Sequence, residues 1–199
     1  MSKQSHTYGG ALFVVLGLVG LAASFALVLE KLKHLESPTA QLTCSVNPFI
    51  TCAPAMDSWQ GTLLGFPNPL IGVVCFVAPI VVGVSLVSGA RFPRWFVLAF
   101  VVGVCLGMGF IVWLMVQTVS SIGALCPYCL VVWAVMIPLT LATAAWAASS
   151  GTLGGAAVRS VGGAVLRVWL WPIALLCYSV VFLVLLANFP LLWPFLTSL

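Results

Sequence analysis

The chain has 199 residues, 63% of them hydrophobic and only 5% charged. So little charge excludes a soluble globular domain and makes this an integral membrane protein. The net charge of +4 rests on seven basic residues scattered singly, which excludes a nucleic-acid patch and makes them topology markers.

The first apolar stretch covers 8–29, and about 20 helical residues cross the ~30 Å hydrocarbon core. It is too long for the apolar core of a signal peptide, and no small-x-small site closes it, so it is read as a retained span. Gly20 and Ser24 give it a small-xxx-small packing face. The outer loop, 30–68, carries all three acids (Glu30, Glu36 and Asp57) together with Lys31, Lys33, His34, Cys44 and Cys52. The run from Glu30 to Glu36 is polar enough to leave the bilayer, and both His6 and His34 read as surface residues. Over 53–64, Met56, Trp59 and Leu63 recur at i, i+3 and i+7, which predicts a short interfacial helix with Asp57 as its cap or as a proton relay. The breaker Gly65-Phe66-Pro67-Asn68-Pro69 then opens a second span, 69–89.

A basic turn, Arg91-Phe92-Pro93-Arg94, leads to a third span, 95–119, whose Gly103 and Gly107 form a GxxxG face expected to pack against another helix. After the uncharged turn 120–123 comes a fourth span, 126–147. A Gly/Ala/Ser-rich connection precedes a fifth, 168–187. The expectation is one all-α membrane domain over 1–199. With five spans, Lys3, Arg91, Arg94, Arg159 and Arg167 share one side, against Lys31 and Lys33 on the other. That bias puts the N-terminus in the cytoplasm, with the C-terminus and the outer loop on the outer face of the inner (plasma) membrane.

Seven cysteines divide into four near span ends and three within spans. Cys126-Pro127-Tyr128-Cys129 opens the fourth span. Cysteines at i and i+3 share a helix face, on the order of 5–6 Å apart, within disulfide reach. Pro127 suits a first helical turn, and the free N–H groups there stabilise a thiolate. Cys44 and Cys52 are too far apart for a disulfide on one continuous helix, so the segment between them must turn, and Asn47-Pro48 supplies turn chemistry. That pair reads either as a structural staple or as a second dithiol able to exchange with the first. Both pairs fall on the outer, oxidising side. Cys75, Cys105 and Cys177 read as packing thiols.

No metal, nucleotide or haem motif is present to take up electrons. A lipid quinone needs only an apolar cleft, an aromatic wall and a hydrogen-bond donor. Asn68 is a candidate donor, or else a helix cap or turn residue. Trp133, four residues after Cys129, is a candidate wall, or else an interfacial or packing tryptophan.

Taken in order, Cys44-x7-Cys52, Ser58, Phe66-Pro67-Asn68-Pro69 and Cys126-x-x-Cys129 resemble the vitamin K epoxide reductase family, in particular its actinobacterial members. The resemblance implies a four-helix bundle around a quinone of the menaquinone or ubiquinone type, with the outer loop as a cap and the fifth helix beside it. It implies Cys126 and Cys129 as the active pair and Cys44 and Cys52 as the shuttle pair, with Cys52 exchanging with Cys126. Asn68, Ser58 and Trp133 would line the quinone; animal members carry Tyr where Trp133 stands. Many bacterial members carry a fused thioredoxin-like domain. Here the chain ends at Leu199, so the implied partner is a separate thioredoxin-fold (DsbA-like) protein. It is expected at Cys44, nearer the polar start of the loop. The implied function is that of a quinone-dependent thiol oxidase. Two alternatives stand beside it: a DsbB-type oxidase, in which the order of the two cysteine pairs is reversed, and a non-catalytic membrane protein with structural disulfides.

Overall fold

The computed structural model describes residues 3–37, 42–45, 50–155, 158 and 163–189. Five helices are long and apolar enough to cross a membrane. These are α1 (Lys3–Glu36), α3 (Pro69–Val87), α4 (Arg94–Gln117), α5 (Pro127–Ser149) and α6 (Gly163–Asn188). The short α2 (Ala53–Asp57) and a 3-10 turn (Trp59–Thr62) lie between α1 and α3. No strand occurs among the described residues, only one isolated bridge between Ile50 and Leu125.

The expected spans are all present, with shifted ends. α1 continues through the polar run to Glu36, because a helix leaving the bilayer has no reason to stop where charge begins and the next breaker is Pro38. The interfacial segment is two pieces rather than one helix. Ser58 turns extended (ψ 150°), donates to Ala55 O at 2.8 Å and accepts from Gly61 N–H at 3.2 Å, ending α2 and capping the turn that follows. Asp57 therefore closes α2 instead of capping its start. The turn before α5 is a π-helical one, Thr118–Ile122, ended by Gly123 at φ +66°, a conformation that favours glycine. The Asn47-Pro48 turn and the segment with Arg159 lie outside the described residues.

α3 packs along α1, α5 lies against α1, α4 and α6, and the core they share includes Phe13, Phe76, Val104, Met136 and Leu139. Tyr178 of α6 donates to Ala134 O of α5 at 2.6 Å. At the end of the bundle away from the loop, Phe92 stacks on Phe96 with ring centroids 4.6 Å apart, and Arg94 donates to Thr152 O at 3.0 Å. The four cysteines of the two pairs gather at the other end. Neither Cys75 nor Cys105 is packed: Cys75 is exposed along the cavity described below and Cys105 on a helix face, and Cys177 is half-buried.

Candidate active site: two dithiols over an apolar cavity

Pro127 begins α5 and leaves Cys126 as the extended residue before the first turn (φ −91°, ψ 120°). The loop reaches it by a backbone tie. Thr51 N–H donates to Leu125 O at 2.9 Å, within the parallel bridge of Ile50 and Leu125. This register sets Cys52 beside Cys126, and their sulfurs stand 3.2 Å apart. Cys52 is bonded to Cys44, with Cα atoms 5.8 Å apart, while Cys126 and Cys129 are free thiols. Cys44, Cys52 and Cys126 are all buried, in a cluster with Met56 and Tyr128. Cys44 is only 2% exposed, so the greater openness expected of it is not found in this conformation.

Cys126 lies just outside the span, and its thiol is shifted below the ordinary value. A hydrogen bond from the Cys129 thiol and the backbone N–H groups of Cys129 and Tyr128 favour its thiolate more than burial opposes it.

Cys52, Cys126 and Cys129 roof a cavity of about 730 Å³ that runs down between α3, α4 and α5. Trp133 is buried and lines it beside Cys129, and Ser58 lines its upper rim. The Ser58 hydroxyl proton is already committed to Ala55 O. Asn68 occupies the N-cap position of α3, where its backbone carbonyl accepts from Ile71 N–H, but its side chain makes no cap hydrogen bond. Its Nδ2 donates to Gln60 O at 2.5 Å, while its Oδ1 is buried without a partner at the cavity. An unpartnered buried amide oxygen is costly unless a ligand meets it.

Several residues of this site gave no sequence signal. Buried Gln60 holds Asn68 through its backbone and Gln117 through its side chain at 3.3 Å. Glu30 is buried, not solvated. His34, expected on the surface, is largely covered and pairs with Asp57 at 3.0 Å.

Residues 11–145, more than half of the chain, match the profile of the vitamin K epoxide reductase family. The chain belongs to that family. No curated protein and no solved structure matches it. Membership makes the protein an oxidoreductase of thiols and disulfides that works with quinones, and it sets aside the non-catalytic alternative.

Proposed function

We propose that this vitamin K epoxide reductase family member oxidises the dithiol of a separate thioredoxin-fold (DsbA-like) protein on the outer face of the plasma membrane. The electrons pass through Cys44 and Cys52, then Cys126 and Cys129, to a quinone of the menaquinone or ubiquinone type. The observation that carries this reading is the 3.2 Å approach of Cys52 and Cys126 over an apolar cavity that Cys129 also lines. The five-to-two bias of basic residues supports the orientation.

The steps balance as thiol–disulfide exchange. A partner thiolate attacks Cys44 and its second thiol resolves the mixed disulfide, leaving Cys44 and Cys52 reduced and the partner oxidised. The Cys52 thiolate attacks Cys126 of the Cys126–Cys129 disulfide and Cys129 leaves as a thiolate. Cys44 then attacks Cys52 and frees Cys126. Two electrons now rest on Cys126 and Cys129 with Cys44–Cys52 bonded, the arrangement described above. A quinone held in the cavity beside Cys129, Trp133 and Asn68 would supply the two-electron acceptor, so that Cys126 and Cys129 give up the electron pair and two protons as their disulfide re-forms.

The cavity suits such a ligand. Trp133 offers an aromatic wall. The second N–H of Asn68 can donate to a carbonyl, and its free Oδ1 can accept from a hydroxyl, so one side chain serves both redox states. Gln60 fixes the Asn68 amide in the orientation this requires.

Purified protein supplied with a quinone and a reduced thioredoxin-fold protein should turn over. Cys129→Ala should abolish quinone reduction with helix content unchanged. Wild-type turnover in that variant would refute the assignment.

A further inference from the structure

The Cys52 side of the loop is held by a backbone bridge. The Cys44 side is held differently. Glu30, a carboxylate on α1 only 6% exposed, accepts from Thr43 N–H at 3.1 Å and from Thr43 Oγ1 at 2.5 Å. Thr43 Oγ1 also lies 3.2 Å from the Tyr128 hydroxyl, within the Cys126-Pro127-Tyr128-Cys129 motif. A threonine hydroxyl has one proton, and this one goes to Glu30, so Tyr128 is the donor to Thr43. The chain Tyr128 → Thr43 → Glu30 therefore points one way and ends on a charge, which strengthens each hydrogen bond in it. It joins three elements far apart in sequence: α1, the residue before Cys44, and the turn that carries the second dithiol.

We propose that Glu30, Thr43 and Tyr128 form a latch that closes the outer loop on the second dithiol and holds Cys52 in exchange distance of Cys126. The three are positioning residues, since none of them exchanges electrons. A buried carboxylate at a membrane helix end is costly unless it is satisfied. Here the partners are Thr43 N–H and Oγ1 of the loop, so closing the loop exchanges water on Glu30 for two fixed donors. The latch rests on the exchange route proposed above.

The test uses the full chain in detergent with Cys44→Ala and Cys129→Ala, which leaves Cys52 and Cys126 as the only working pair. Equilibration with a glutathione redox buffer, followed by mass spectrometry of the Cys52–Cys126 cross-linked peptide, gives the effective concentration of one thiol at the other. Thr43→Val keeps the shape of the side chain and should lower that concentration about threefold to tenfold, the range of one net hydrogen bond. Thr43→Ser keeps the hydroxyl and should restore it. Tyr128→Phe keeps the ring against the thiol cluster and should act like Thr43→Val. Glu30→Gln can accept from only one of the two Thr43 donors and should cost at least as much, and adding Tyr128→Phe to it should cost little more, because the chain works as a unit. Absence of the cross-link in the parent overturns the exchange route and the latch with it. A cross-link formed equally in Thr43→Val, Thr43→Ser and the parent overturns the latch alone.

Discussion

The seam between α1 and α3 and the cleft between α3 and α4 share one helix and are both rich in glycine, yet their glycines do opposite things. Along the seam they bring backbones together. A Cβ on Gly83 would sit 2.6 Å from Gly10 O, and one on Gly10 would sit 2.7 Å from Gly83 O. Gly20 is filled by the Phe76 ring, and Gly72 by Ser24, as the small-xxx-small face of α1 led one to expect. Across the cleft the expected helix contact does not form. A Cβ on Gly103 would meet nothing, one on Gly107 would just touch Met136, and both glycines line the cavity. In a bilayer, where lipid is as apolar as any side chain, small residues either let helices touch or leave room for a ligand. What faces them decides which.

Filling each side should separate the two roles. Gly83→Leu would force α1 and α3 apart at a backbone-to-backbone contact. It should cost at least the ~1–3 kcal/mol usual for overpacking and leave little folded protein by size-exclusion or thermal denaturation. Gly103→Leu should leave the thermal midpoint unchanged and raise the Michaelis constant for quinone about 30-fold to 100-fold, roughly 2–3 kcal/mol of lost binding. If Gly103→Leu unfolds the protein while quinone binding in the remainder is normal, the cleft is a helix contact after all.

A smaller effect is expected at the polar end of the cleft. Asn68→Ala should weaken quinone binding by about 1–2 kcal/mol through the lost hydrogen bond. An unchanged Michaelis constant would leave Asn68 only its bond to Gln60 O.

The same contrast explains what could be read from the sequence. Apolar runs of span length are a local property, and a long helix lies over each of the five, with α1 running past both expected ends and α6 starting earlier than expected. The i, i+3 spacing of Cys126 and Cys129 with Pro127 between them is local too, and it placed the second dithiol at a helix start. The GxxxG of Gly103 and Gly107 was visible, but its meaning depends on a neighbour that the sequence does not name. Glu30 reads as the first residue of a polar flank, and only the distant Thr43 makes it a buried anchor. The approach of Cys52 to Cys126 is guided by an isolated bridge, Ile50 to Leu125, with no repeating pattern to announce it.

The cap repeats the contrast above the bilayer, and this gives the smallest expected effect. On the cleft side it is tied to α4 by uncharged groups, Gln60 to Gln117 at 3.3 Å and Trp59 to Trp113 with rings 6.0 Å apart. On the seam side it is tied to α1 by charge. Asp57 pairs with His34 at 3.0 Å and Lys31 at 3.5 Å, and Lys31 also donates to Met56 O at 2.8 Å. Partial burial pushes the Asp57 carboxyl upward, but the hydrogen bond and charge of His34, and then Lys31, outweigh it and hold the group below its ordinary value. A carboxyl depressed by folding contributes stability above its unfolded pKa and loses it as the pH falls through the folded one. The wild type should therefore be more stable than Asp57→Asn at neutral pH. Because Asp57 is more than half exposed, the gap in thermal midpoint should be only about 1–3 °C. It should close as the pH falls through and below the ordinary carboxylate range. Gln60→Ala, on the uncharged side, should show a gap from wild type that does not close over the same acid range. Equal acid sensitivity of both gaps would mean that the two ties are not independent and that the cap moves as one piece.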